Sequence, residues 1–226
     1  MRMRKKKHSS ERIEKCADLL IKNPIDLFGH EDSLFGKGTP LLLEIGCGKG
    51  DFATGLSLKY PKFGIIAVER VPDVAMFALE KATSTINTRP DNLRFIIGNA
   101  EYITDWFSSK IFSCIYINFC DPWPKKGYFK RRLTAPSYLE KYKKIIVPGG
   151  ELHFKTDNES LFDWSLEQFE ESGLDLIYVT RDLHNSKFAI DNIETEYEHR
   201  FVSMGQNIFS AHIRFPEIIS EVDNDE

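Results

Sequence analysis

A chain of 226 residues, 42% hydrophobic and 12% aromatic, can bury the core of one domain and is too apolar to remain disordered. No apolar run approaches the roughly 18 residues of a membrane span, and the charged start M-R-M-R-K-K-K-H-S-S lacks a signal-peptide core, so a cytoplasmic protein is expected. The net charge of −4 argues against nucleic acid in bulk, but charge is unevenly placed, and a polyanion responds to local patches.

Basic residues fill five of the first seven positions and five of the eight from Lys125 to Arg132. The stretch from Pro216 onward carries acids and no base: Glu217, Glu221, Asp223, Asp225 and Glu226. After the basic head a helix is expected over Ser10–Lys22, capped by Ser9 or Ser10, followed by a Gly/Pro-rich loop from Asn23 to Pro40. β-Branched, apolar runs then read as strands at Leu41–Ile45, Phe63–Glu69, Leu93–Gly98, Ile111–Phe119, Glu151–Thr156, Leu174–Thr180 and Asn207–Phe215. Helical patterns fall between them at Asp51–Lys59, Pro72–Ile86, Glu101–Phe107, Pro136–Val147 and Glu159–Ser172. This divides the chain into an arm and leading helix (1–40), one α/β domain (41–216) and an acidic tail (217–226). Strands apolar on both faces, such as Leu41–Ile45, suit a mostly parallel sheet covered on both sides. Such sheets bind ligands beyond the carboxyl ends of their strands. The four cysteines, Cys16, Cys47, Cys114 and Cys120, form no C-x-x-C pair, so buried thiols are expected rather than disulfides or a metal centre.

The residues that carry chemistry sit at those strand ends. L-L-L-E-I-G-C-G-K-G-D-F, Leu41 to Phe52, is a strand ending at Glu44, then Gly46, Gly48 and Gly50, then a helix. A dinucleotide fingerprint would need a third Gly where Asp51 stands, and an acid there would repel a pyrophosphate. A cationic sulfonium donor such as S-adenosylmethionine suits it better. Glu69 ends the second strand, where an acid can accept from both ribose hydroxyls. Asn99, after the third strand, either reads an adenine edge or caps the next helix. N-F-C-D-P-W-P-K-K-G-Y-F-K-R-R-L, Asn118 to Leu133, is the most specific segment. Pro122 and Pro124 are expected to hold the loop extended, so that Asp121 and Trp123 project from it. Lys125, Lys126, Lys130, Arg131 and Arg132 interleave with Tyr128 and Phe129, as a splayed-out base and its phosphates require. H-F-K-T-D-N-E places Asp157 at another strand end. T-E-Y-E-H-R-F, Thr195 to Phe201, reads alone as a strand end or helix cap. The remaining histidines form no usable pattern.

Together E-I-G-C-G-K-G, V-E-R, D-P-W-P-K-K with K-R-R-L, F-K-T-D-N-E and T-x-Y-E-x-x-F resemble the bacterial tRNA (guanine-N7)-methyltransferases, from about Asp18 to Phe215. The resemblance implies a Rossmann-like class I methyltransferase fold, with seven strands mostly parallel and the last antiparallel. It implies S-adenosylmethionine contacts at Glu44, Gly46, Gly48, Glu69, Asn99 and Asp121, with Asp121 catalytic. It also implies guanosine contacts at Lys125, Asp157, Thr195, Glu196, Tyr197 and Glu198, and RNA contacts across Gly127–Arg132, including Lys130, Arg131 and Arg132. The target would be a guanosine in the tRNA variable loop, the enzyme a monomer or homodimer without metal. Two positions depart from the family: Asn99 is commonly Asp, and Gly127–Phe129 replace a stretch often basic and histidine-rich. The alternatives are a methyltransferase acting on another RNA or DNA base, a non-catalytic RNA-binding protein and, more remotely, a nicotinamide dehydrogenase. Trp123, standing where D-P-P-[YW] DNA enzymes have a second Pro, speaks against DNA. The intact Glu44, Glu69 and Asp121 speak against a protein that has lost catalysis.

Overall fold

The computed structural model describes residues 8–85 and 89–217; the basic residues Arg2–Lys7, Ile86 and the acids beyond Glu217 lie outside them. The strands are β1 (Leu41–Ile45), β2 (Gly64–Glu69), β3 (Leu93–Ile97), β4 (Phe112–Asn118), β5 (Ile146–Thr156), β6 (Asp175–Thr180) and β7 (Phe209–Arg214). They form one sheet in the order β3-β2-β1-β4-β5-β7-β6. The first five strands run parallel, and β7 runs antiparallel to both β5 and β6. The order reverses at β1/β4. That opens a crevice at the carboxyl ends of these two strands.

The helices are α1 (Ser9–Glu14), α2 (Asp32–Phe35), α3 (Asp51–Lys59), α4 (Pro72–Thr85), α5 (Ile103–Trp106), α6 (Pro136–Ile145), α7 (Glu159–Glu171) and α8 (Glu196–Val202). All five residues of β1 are buried. Leu41, Leu43 and Ile45 join the core under α5, α6 and α7, while Leu42 joins the core under α3 and α4. Each such side chain contributes about 2 kcal/mol by leaving water, which is why the strand, Glu44 apart, reads as apolar on both faces.

Three expected elements differ. The leading helix stops at Glu14, because Leu20 turns extended and bridges to Phe95, with the Ile21 amide donating to the Phe95 carbonyl at 2.8 Å. Docking Leu19, 1% exposed, against the sheet replaces the last eight residues, about two turns, of the expected helix. The loop 23–40 contains a 3-10 turn, Pro24–Leu27, and α2. β5 begins at Ile146 rather than Glu151, with a register break opposite β4 and Gly149 at φ +70° inside it. The four cysteines are free thiols, three of them buried. Among the described residues no helix is long and apolar enough to cross a membrane.

Candidate active site

A cleft of about 330 Å³ opens beyond β1 and β4, between the Gly46–Gly50 turn and α8. Gly46, Gly48 and Gly50 all adopt positive φ, at +80°, +56° and +80°. At Gly50 a Cβ would also stand 2.7 Å from Ala78 Cβ, so glycine here lets α3 approach α4. Asp51 begins α3 and pairs with Lys81 of α4 instead of capping its own helix.

Glu44 lies at the floor, 2% exposed. Its Oε1 accepts from Asn118 Nδ2 at 3.2 Å, and its buried Oε2 has no partner. Burial pushes the carboxyl up to about 7, against the opposing effects of the Asn118 hydrogen bond and the Lys155 charge. A half-satisfied buried acid is expensive unless a donor or cation completes it. The fit to the ammonium of a sulfonium donor follows. Cys47 lies beside it with its thiol raised by burial and by Glu44 and Glu69, which makes it a poor nucleophile.

Glu69, the last residue of β2, is bonded to the same turn. Its oxygens accept from the Gly48 amide at 3.1 Å and the Val71 amide at 2.9 Å, and each retains acceptor capacity. Asn99 is exposed and caps the 3-10 turn Ala100–Tyr102, accepting from the Glu101 amide at 3.1 Å. Asp121 is exposed beyond β4 and meets Arg70 Nη2 at 3.3 Å.

The D-P-W-P loop corrects two expectations. It is not uniformly extended: Trp123 sits at φ +40° directly before Pro124, where extended backbone is favoured. Arg132 does not face outward with its neighbours. It is 3% exposed, with Nε donating to the Pro122 carbonyl at 2.9 Å and Nη2 to the Trp123 carbonyl at 3.4 Å. Lys125, Lys126, Lys130 and Arg131 are exposed. Arg131 lies over the rings of Trp123 and Tyr128, at 5.0 and 4.6 Å.

On the far wall, Thr195 caps α8, its Oγ1 accepting from the Glu198 amide at 3.0 Å. Thr195, Glu196 and Tyr197 line the cleft. Tyr197 stands 5.0 Å from the Phe119 ring and donates to Asp157 Oδ2 at 3.5 Å. Glu198 points the other way. It is fully buried, and its oxygens take Lys155 Nζ at 2.8 Å, Asn192 Nδ2 at 2.7 Å and His184 Nε2 at 3.0 Å. The expected guanosine contact of Glu198 is therefore replaced by a structural one.

A second cavity, of about 350 Å³, shares Asn118 with the cleft and holds Glu151, His153 and His212. The two imidazoles stack in parallel at 3.7 Å, while Glu151 bonds His153 and Arg214. Parallel rings cannot both direct in-plane lone pairs at one ion.

Residues 38–211 match the family model described as "Putative methyltransferase". A tRNA (guanine-N(7)-)-methyltransferase of Geobacillus sp. (strain WCH70) is 42% identical over 216 residues, covering 96% of each chain. That of Bacillus subtilis (strain 168) is 40% identical over 215 residues, covering 95% of this chain and 99% of its own. The chain belongs to the tRNA (guanine-N7)-methyltransferase family. Fold neighbours agree in architecture: the 16S rRNA methyltransferase KamB superimposes with a TM-score of 0.63 at 13% identity, covering 83% of this chain and 93% of that one. A SAM-dependent methyltransferase of Aquifex aeolicus gives 0.52 at 16% identity, covering 92% and 99%.

In this member of the tRNA (guanine-N7)-methyltransferase family, Glu44, Gly46, Gly48, Thr195, Glu196 and Tyr197 share one cleft. Glu69 joins it through the Gly48 amide and Asp157 through Tyr197; Asn99, Asp121 and Lys125 lie outside its lining. Sequence reasoning missed Asn118, Arg70 and Lys155. A signal existed for two of them, since Asn118 and Lys155 are polar residues at buried positions near the carboxyl ends of β4 and β5.

Proposed function

We propose that this chain transfers the methyl group of S-adenosylmethionine to N7 of a guanosine in the variable loop of tRNA. The reading is carried by the buried, unpartnered oxygen of Glu44 on the floor of a glycine-walled cleft, in a chain of this family. S-adenosylmethionine, when bound, supplies an electrophilic methyl on a sulfonium centre. Glu44 accepts from the donor's ammonium, bare backbone at Gly46 and Gly48 admits close approach, Glu69 accepts from ribose hydroxyls, and Asn99 meets the adenine edge. Guanine N7 already carries a lone pair, so no residue need remove a proton. The chain's own work is alignment, and stabilising the charge that moves onto the purine.

Asp121 borders the methyl and the guanine. Asp157 accepts from the guanine N–H edge, with Lys125, Thr195, Glu196 and Tyr197 completing the wall. Adenine offers no donors there and would leave an acid unpaired. Exposed Lys130 and Arg131 attract the phosphates. The four free thiols suit a reducing cytoplasm.

The test is labelled methyl transfer from S-adenosylmethionine to bulk tRNA, duplex DNA and protein in parallel, with the modified base mapped by its alkali lability. Label at a guanine N7 of tRNA is expected. Label confined to DNA or to an exocyclic amine, or a protein that takes up no donor, would refute the reading.

A further inference from the structure

We infer that Arg132 is a positioning residue for methyl transfer: its guanidinium fixes the Asp121–Pro124 loop from behind and does not touch tRNA. The inference rests on the placing of Asp121 beside the reacting atoms.

Its four basic neighbours are exposed, whereas Arg132 is 3% exposed. The guanidinium plane lies against Phe129 at 3.7 Å and Trp164 of α7 at 4.4 Å. Its Nε and Nη2 donate to the carbonyls of Pro122 and Trp123, at 2.9 and 3.4 Å, the two residues directly after Asp121. Its Nη1 is buried without a partner, so no arm of the fork reaches outward to a phosphate.

The loop requires such a clamp. Pro122 and Pro124 supply no N–H to tie it down. Trp123 at φ +40° before a proline is a conformation that persists only when its surroundings impose it. A charged fork on two carbonyls does so, and a lysine, a point charge without the fork or the flat stacking face, does not reproduce it. Released, the loop would carry Asp121 away from its place, and a displacement of ~1 Å costs on the order of 10²-fold in rate.

The experiment compares R132K and R132M with K130A and R131A. It measures kcat and KM for tRNA, the salt dependence of tRNA binding, donor Kd, and hydrogen exchange of peptides covering residues 119–131. Arg132 variants are expected to lose roughly 10²-fold in kcat with tRNA Kd and its salt slope unchanged, and with faster exchange in the loop. K130A and R131A should each weaken tRNA binding and flatten the salt slope by about one. Chemical rescue adds a further mark: millimolar guanidinium should restore part of the R132M rate. A flatter salt slope with kcat intact in R132K or R132M would make Arg132 an RNA contact and overturn the inference. So would loop exchange unchanged from wild type, or loss of the cooperative thermal transition in both variants, which would assign Arg132 to the core alone. If wild type methylates no tRNA, the functional reading fails, while loop exchange still reports on the clamp.

Discussion

Glu44→Gln should make the protein more stable and a poorer enzyme, with opposite signs from one atom. The folded carboxyl titrates near 7, against an ordinary 4.5. At about 1.4 kcal/mol per tenfold change in proton affinity, that difference corresponds to about 3 kcal/mol. Because the folded value is the higher one, the native state holds a proton between pH 4.5 and 7 that the unfolded chain has released. Stability therefore falls as pH rises through that window, and the full penalty is present above 7. Glutamine keeps an oxygen for Asn118 and carries no charge to bury. At pH 8 the variant should melt on the order of 5–10 °C higher than wild type, and at pH 4.5 the two should nearly coincide. Donor affinity should move the other way, weakening roughly 10–100-fold at pH 8, since a hydrogen bond to a charged group contributes about 1.5–3 kcal/mol. Wild type should also release a proton on binding donor at pH 6.5, visible as a calorimetric enthalpy that depends on the buffer. Thermal melts at the two pH values and titration calorimetry in two buffers supply the test. An E44Q protein that melts below wild type at pH 8, or binds the donor equally well, would refute the reasoning.

Asp121→Ala should abolish turnover on tRNA while the protein keeps its melting temperature, because Asp121 is exposed and its ion pair is with exposed Arg70; full activity would remove its proposed role. Removing Lys155 as K155M strands the fully buried Glu198 carboxylate and should cost about 3–5 kcal/mol in urea unfolding, with K155M/E198Q recovering much of it. Gly50→Ala meets both a φ of +80° and the Ala78 methyl at 2.7 Å and should lose more than about 1 kcal/mol, read as a lower urea midpoint.

The placement of the glycine turn, Glu44 and Glu69 was legible because it follows from residue type and strand position: positive φ and an acid at a strand end need no tertiary information. The strands followed for the same reason, since both faces of β1 are buried and the run shows it. Arg132 and Glu198 were not legible. In K-R-R an arginine reads as surface, and only Phe129, Trp164 and two remote carbonyls make it internal. T-E-Y-E-H-R-F reads alone as a strand end or helix cap, yet Lys155 of β5, Asn192 and His184 bury its Glu198. Trp123 at φ +40° overrides the extended bias that two prolines suggest, because the carbonyls beside it are gripped by a cation.

The Lys155–Glu198 pair joins β5 to α8, whose first turn lines the cleft. Tyr197 and its neighbours are therefore tied to the sheet through a buried ion pair, which reduces the conformational freedom that side of the crevice can lose when a ligand binds. By contrast, the lysines beyond Pro124 stand in solvent.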